Sequence, residues 1–366
     1  MRIGIDLLWV RVGKCGGTES YIRNLLDGFQ KYDDSNEYIL FVARDNEHSF
    51  RHYGEKDRFK FHICQIDCSN QIKRILWENI YLDRSAKREE IDIMFIPVYS
   101  KARTFGSGIF YVTVIHDLQA LHFPEYFSFF KRMFLRYSWR NTCKTSHRVV
   151  ASSNYCKEDL IAHYPCVRDK IFTIYDPVVS KPSYLPFTCI QEKMDIYKEK
   201  YFYCVSSMLP HKNLDTVLRV MQKRKEQGMT EEKFVISGVG GEEDGFWNTV
   251  RKLGIEDMVI LTGFVTDKER DCLYENCLLF LFPSIFEGFG MPPIEAMRKG
   301  KNVVMTQCAC LKEVTEGKAF YVNEPMDVEE WLDKINQAIN EPAHVEEFPN
   351  YDLQNVVEQY LRIFSK

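Results

Sequence analysis

The sequence contains no apolar run of the roughly eighteen residues that a membrane-spanning helix needs, so no membrane span is expected. Its first residues, "MRIGIDLLWV", go straight into a strand-like pattern and lack the long apolar core and cleavage site of a signal peptide. The cytoplasm is therefore the expected compartment. Cysteine is plentiful, at twelve, but zinc-site spacing is missing: Cys64 and Cys68, Cys272 and Cys277, and Cys308 and Cys310 are close pairs without a paired C-x-x-C pattern. Reduced thiols are expected. The Walker pattern G-x-x-x-x-G-K-[ST] is absent, and "GVGGEED" stops short of G-x-G-x-x-G because Glu243 takes the last glycine's place. Neither sign of charge dominates. The 48 Lys and Arg against 52 Asp and Glu leave a net charge of −4, which argues against a generic nucleic-acid binder while allowing a local basic patch. Low-complexity tracts and short repeats are also lacking.

What is present is a long alternation. A chain of 366 residues exceeds one ordinary core and suggests two domains. In the first half, short β-branched or aromatic runs predict strands over Arg2–Trp9, Tyr38–Ala43, Phe59–Ile66, Asp92–Ile96, Phe110–Ile115 and Arg148–Ser152. Helical patterns cover Thr18–Lys31 and Ile72–Arg88. The second half repeats the theme, with strands over Tyr201–Ser206, Lys233–Ser237, Met258–Leu261, Leu278–Phe282 and Asn302–Thr306. Its helices are Asn213–Gln227, Asp267–Asn276, Pro292–Lys299 and Val328–Asn340. Strands alternating with helices imply two doubly wound α/β domains with parallel sheets, placed at 1–180 and 187–345. The proline-bearing stretch Asp176–Phe187 is the expected linker, and an amphipathic segment within 350–366 closes the chain.

Ligands of such sheets bind beyond the carboxyl ends of the strands, so the loops there are the candidates. "RVGKCGGTES" follows the first strand. Its Gly16 and Gly17 allow close backbone approach, and Thr18 is a candidate cap for the helix, an arrangement suited to an anion. "YVTVIHD" ends a strand in His116, with Asp117 placed to orient it or to cap the next turn. "MLPHKNLDTVL" puts Lys212 near a helix start, with His211 beside it, where a cation adds to free N–H groups in holding phosphate. "EGFGMPPIE" sets Glu287 before a glycine turn and Glu295 inside the following helix. Two carboxylates flanking a phosphate-binding turn suit a ligand with hydroxyls at both ends, such as a nucleoside diphosphate sugar. The rival reading, a glycoside hydrolase pair, explains neither the glycine turn nor the helix start.

These residues resemble the retaining glycosyltransferases of family 4, which have the GT-B fold. The E-x7-E signature of Glu287 and Glu295, "IHDLQALHFPEYFS", "VVASSNYCKEDL", "PHKNLDTVL", "LTGFVTDKERDCLYENCLLFLFPS" and the tail "VVEQYLRIF" carry the likeness over nearly the whole chain. They are similar to the branch of bacterial mannosyl- and rhamnosyltransferases of O-antigen and capsule assembly. The resemblance implies two Rossmann-like domains facing a central cleft, with the C-terminal helix crossing back to the first domain. It further implies that Glu287 meets the donor sugar, Glu295 the ribose, and the backbone of Gly288, Phe289, Gly290 and Met291 the sugar and phosphates. Lys212 would bind the diphosphate, with Gly16 close to it. His116 would lie at the reaction centre, and backbone atoms near Val265 would face the base. No metal or other cofactor is expected, since no D-x-D stands beside a donor-like loop. The chain departs from the family in having His211 where arginine is usual, which raises the expectation of pH-dependent diphosphate binding, and Tyr175-Asp176-Pro177 in place of a Pro-Asn-Gly turn.

The implied reaction is transfer of a hexose, with GDP-mannose as the first candidate donor, to a saccharide or polyprenyl-diphosphate-linked saccharide in surface polysaccharide (lipopolysaccharide or capsule) synthesis. A non-catalytic sugar-nucleotide-binding or scaffold protein of the same fold is the alternative. Finally, "FSFFKRMFLRYSWRNTCK" aligns Arg132, Arg136, Arg140 and Lys144 at four-residue spacing, a basic ridge if helical, with Phe130, Phe134 and Tyr137 on another face. That suits peripheral contact with an anionic membrane or a lipid-linked acceptor. The structural alternative buries the aromatics against the sheet.

Overall fold

The computed structural model describes residues 1–55, 57–99, 108–180, 182–194, 196, 200–238 and 244–365. Gly240, Gly241 and Glu243 of the second glycine-rich turn lie outside them. The chain divides into two compact units, Met1–Val178 with Pro349–Lys366, and Val179–Phe348.

The first unit is built on seven strands: β1 (Arg2–Asp6), β2 (Glu37–Ala43), β3 (Phe59–Cys64), β4 (Ile93–Ile96), β5 (Phe110–Ile115), β6 (Arg148–Ala151) and β7 (Ile171–Thr173). All neighbours pair in parallel, in the order β3-β2-β1-β4-β5-β6-β7. Helices cover both faces, so central strands are apolar throughout rather than alternating. The run from Tyr38 to Ala43 is buried at every position. β1 stops at Asp6, earlier than its apolar run suggests. The Asp6 carboxylate accepts the Leu8 N–H at 3.0 Å and its carbonyl accepts the Trp9 indole N–H at 3.0 Å, which turns the chain out of the strand. The helix expected over Ile72–Arg88 is interrupted. Gln71–Trp77 and Asp83–Arg88 are α-helical, and a π turn, Glu78–Leu82, joins them.

The C-terminal helix Leu353–Phe364 belongs to this unit. It buries Val356, Val357, Tyr360, Ile363 and Phe364, a helical stripe, in the first core. It packs on the helix Gly17–Tyr32 at Gly28, where an added Cβ would lie 2.5 Å from Val357 Cγ2.

The second unit holds β8 (Lys200–Val205), β9 (Glu232–Ser237), β10 (Val259–Gly263), β11 (Leu279–Phe282), β12 (Val303–Thr306) and β13 (Phe320–Val322). These are parallel in the order β10-β9-β8-β11-β12-β13. Both sheets reverse their winding beside the first strand, between β1 and β4 in one and between β8 and β11 in the other. The crevice at such a reversal is where ligands of this architecture bind.

Candidate functional site

The two loops that flank the reversal of the second sheet are stitched together. The chain leaving β8 passes through the turn Pro210–Lys212 and a left-handed Asn213 (φ 51°) into the helix Leu214–Glu226. The chain leaving β11 runs through Pro283 to Gly290 into the helix Met291–Arg298. The His211 carbonyl accepts the Ile285 N–H at 2.8 Å and the Ser284 hydroxyl at 3.3 Å. The Thr306 hydroxyl bonds the Ser284 carbonyl. The Cys310 thiol donates to the carbonyls of Glu287 and Phe289, at 3.2 and 3.3 Å. Gly290 is required where it stands. Its φ of +92° is left-handed, and an added Cβ would lie 2.9 Å from Leu311 Cδ2.

This scaffold brings Lys212 Nζ to 2.5 Å from Glu287 Oε1, with the two side chains 20% and 16% exposed. Glu295 stands just over one turn into the Met291–Arg298 helix. It accepts the Tyr274 hydroxyl on Oε2 at 2.8 Å, with Arg270 Nε 3.8 Å from the same oxygen. The backbone of Gly288 to Met291 lies between the two carboxylates at the helix N-terminus, a place where the helix dipole favours an anion. Val265 follows β10, two strands beyond β8, and is half-buried. The ends of these strands are tied: the Gly238 N–H donates to the Gly263 carbonyl at 2.9 Å, and a Cβ on Gly238 would meet the Ser206 carbonyl oxygen at 2.7 Å.

His211 stands beside Lys212 in the turn after β8. Its ring is buried, and burial together with the Lys212 charge pushes its pKa down to about 4, so it is uncharged near neutrality. Its carbonyl ties the two loops.

In the first unit, Gly16 (φ 55°) is the N-cap and Gly17 the first residue of the helix Gly17–Tyr32; both are exposed, and open space surrounds a Cβ placed on Gly16. Thr18 does not cap this helix, because its hydroxyl turns back to the Cys15 carbonyl at 2.7 Å. The carboxylate at this loop is that of Glu19, which accepts the Gly13 N–H at 2.9 Å and pairs with Arg23 at 2.8 Å. His116 sits at the carboxyl end of β5, 14% exposed, with Nε2 3.1 Å from the Pro97 carbonyl. A carbonyl only accepts, so Nε2 carries the proton and Nδ1 is the acceptor. Nδ1 faces Asp176 Oδ1 at 3.7 Å, and Tyr21 meets the ring edge-on at 4.8 Å. Burial pushes His116 down to about 4 and Asp176 up to about 8, so both are neutral near pH 7. Asp117 caps the next turn instead, accepting the Gln119 N–H at 2.9 Å. Tyr21 in turn shares a 2.5 Å hydroxyl contact with Tyr360 of the C-terminal helix.

The basic segment is a helix, Phe129–Thr145, capped by Ser128. It buries Leu135, Ser138, Trp139, Thr142 and Cys143, but Phe129, Phe130, Met133 and Tyr137 are exposed, Phe130 by 83%. Arg136, Arg140 and Lys144 are exposed too, and Arg132 is half-buried beside the Phe129 ring. The helix Gln71–Trp77 and its π turn also expose an apolar row, Ile72, Leu76 and Ile80. Tyr99 touches the first helix, stacking edge-on with Trp139 at 6.3 Å, and its phenol lies within electrostatic range of Arg74 on the second.

Among the described residues, no group of His, Cys, Asp or Glu is placed to hold a metal ion, and no helix is long and apolar enough to cross a membrane. Sequence reasoning missed Tyr274, Arg270, Cys310 and the Asp176–His116 approach. No local pattern marks any of them, since each acts through a partner far along the chain.

Residues 15–180 match the family model described as Glycosyltransferase Family 4, and residues 189–354 match the model described as Glycosyl transferases group 1. The chain is 28% identical over 237 residues to the O-antigen chain mannosyltransferase RfbU of Salmonella typhimurium, covering 65% of this chain and 63% of that one. It is 26% identical over 238 residues to the O-antigen chain mannosyltransferase B of Escherichia coli, covering 63% and 62%. It therefore spans somewhat less than two thirds of the length of these curated relatives. Among solved structures, it superposes on sucrose-phosphate synthase from Thermosynechococcus elongatus with a TM-score of 0.77 at 14% identity, covering 100% of this chain and 98% of that one. For HepE of Anabaena in complex with UDP-glucose the TM-score is 0.74 at 18% identity, covering 100% and 99%. For WaaG, a glycosyltransferase involved in lipopolysaccharide biosynthesis, it is 0.68 at 14%, covering 97% and 94%. At these identities the likeness establishes the fold.

Proposed function

The chain belongs to glycosyltransferase family 4, with the two Rossmann-like units of the GT-B fold, and from that premise we propose that it is a retaining, metal-independent hexosyltransferase of surface polysaccharide synthesis. The observation that carries the reading is the gathering of Lys212, Glu287 and Glu295 around a helix N-terminus at the winding reversal of the second sheet. Lys212 and the amides of Gly288 to Met291 hold the donor diphosphate. Glu287, which pairs with Lys212, turns to the sugar hydroxyls, and Glu295 takes the ribose. Backbone near Val265 faces the base; within the first unit, Gly16, Gly17 and His116 are the candidates at the ends of its own strands. GDP-mannose is the preferred donor; the names of the mannosyltransferase relatives support the mannose and leave the base open.

In the reaction, the bond from the anomeric carbon to the diphosphate oxygen breaks. An acceptor hydroxyl forms its bond on the same face and passes its proton to the departing diphosphate. Fixed positive charge and N–H groups at that leaving group lower the barrier most, since negative charge grows there. The acceptor is a saccharide or a polyprenyl-diphosphate-linked saccharide. The exposed apolar and basic helices of the first unit give the protein peripheral contact with the inner face of the cell membrane. No nucleic-acid partner is proposed.

The test is a transfer assay with GDP-mannose and a polyprenyl-diphosphate-linked saccharide in excess EDTA, the new linkage being read by NMR. An α-linked mannosyl product formed despite EDTA supports the reading, and a β-linkage or a strict need for metal contradicts the mechanism. Tight donor binding with neither transfer nor donor hydrolysis would favour the non-catalytic alternative.

A further inference from the structure

Glu295 is one oxygen short of free. Its Oε2 is taken by the Tyr274 hydroxyl at 2.8 Å, with Arg270 Nε 3.8 Å away, while no described residue bonds Oε1. Arg270 and Tyr274 are one turn apart on the helix Asp267–Asn276, so both reach the same carboxylate. Tyr274 is fully buried, its ring packed edge-on against Tyr203 at 5.1 Å and tilted against Phe280 at 5.2 Å. A phenol in that setting has one place to donate. Arg270 Nε is buried and has no hydrogen-bond partner of its own; the guanidinium pairs with Asp267 through Nη1 at 3.0 Å and turns Nε toward Glu295 Oε2 at 3.8 Å. Glu295 is thus aimed by two side chains of one helix, the buried Tyr274 and the partly exposed Arg270.

Resting on the reading that Glu295 meets the donor ribose, we propose that Tyr274, backed by Arg270, is a positioning residue for sugar recognition in the nucleotide. By occupying Oε2 it fixes the carboxylate plane and presents Oε1 to the ribose hydroxyls. Tyr274 therefore sets how strongly the enzyme prefers a ribonucleotide to one lacking those hydroxyls. A purely structural tyrosine would alter affinity for both alike.

The experiment is a set of calorimetric titrations of the full chain with ADP, GDP and UDP, each beside its 2′,3′-dideoxy counterpart. The pair with the tightest ribonucleotide is the one compared. Wild type should prefer the ribonucleotide by about 10-fold or more, as expected for hydroxyls bonded to a carboxylate. Glu295→Ala should abolish the preference. Tyr274→Phe, which keeps the ring packing, should shrink it by about 3- to 10-fold while leaving the dideoxy affinity unchanged. Arg270→Met should act in the same direction and serves if the phenylalanine variant melts too early to titrate. Should Glu295→Ala retain the full preference, the ribose assignment itself fails. If Glu295→Ala loses the preference and Tyr274→Phe keeps it, or weakens both nucleotides equally, only the positioning role is overturned.

Discussion

Lys212 and Glu287 neutralise each other across 2.5 Å while both are largely shielded from water, so neither charge can be removed without leaving the other poorly compensated. In the proposed function a donor diphosphate replaces the carboxylate as the partner of Lys212, and a charge-assisted contact of this kind is worth about 1.5–3 kcal/mol. Lys212→Ala should weaken nucleoside diphosphate binding by about 10- to 100-fold in calorimetry, and unchanged affinity would remove Lys212 from the diphosphate. Asp176 gives a pH test of the first unit. Its carboxyl, pushed up to about 8 by burial, keeps its proton in the native state, whereas the unfolded chain releases it from about pH 4. Between those values the unfolded state binds fewer protons, so stability falls as pH rises through the window. Asp176→Asn removes the penalty and supplies an amide donor toward His116 Nδ1. Its melting temperature relative to wild type should therefore rise between pH 5 and pH 8, and a difference constant with pH would contradict a buried neutral acid.

Elements hold these residues in place, and the glycine turn ahead of the Met291–Arg298 helix tolerates no side chain at Gly290. Gly290→Ala meets both a left-handed backbone (φ +92°) and Leu311 at 2.9 Å. The strained position should cost about 1–3 kcal/mol, read as a lower melting temperature together with weaker donor binding. A variant with wild-type values in both would show that the turn is not held as described. The strands themselves were legible, because a parallel strand covered on both faces is an unbroken apolar run. β7 and β13 were not, being three-residue edge strands with no pattern long enough to read. The early end of β1 depends on the Asp6 carboxyl bonding its own backbone, and the π turn depends on packing; neither leaves a periodic trace. Loops at strand ends could be named from the E-x7-E spacing and the lysine near a helix start. Which side chains would face each other could not, since Lys212 and Glu287 are 75 residues apart and Tyr274 reaches Glu295 from another helix.

At the scale of the whole molecule, a net charge of −4 coexists with two helices of the first unit that carry basic residues and expose apolar side chains. Residues 129–145 contain no acid, and the two acids at positions 78 and 83 of the other helix are buried. Reversing Arg136 and Arg140 to glutamate should cut sedimentation with anionic liposomes by about 10-fold or more, at roughly 1 kcal/mol per basic residue, with added salt mimicking the change. Binding indifferent to both would end the membrane proposal. The proposed function requires the second unit to grip a nucleoside diphosphate sugar from both ends. A ligand bound only by the native state raises the melting temperature, so thermal shifts from GDP-mannose, other nucleotide sugars and the bare nucleoside diphosphates address it directly. We predict that one nucleotide sugar stabilises the wild-type chain more than its bare diphosphate does, and that Glu287→Ala erases that surplus while keeping the shift from the diphosphate. Equal shifts from both ligands in the wild type, or a surplus untouched by Glu287→Ala, would contradict it.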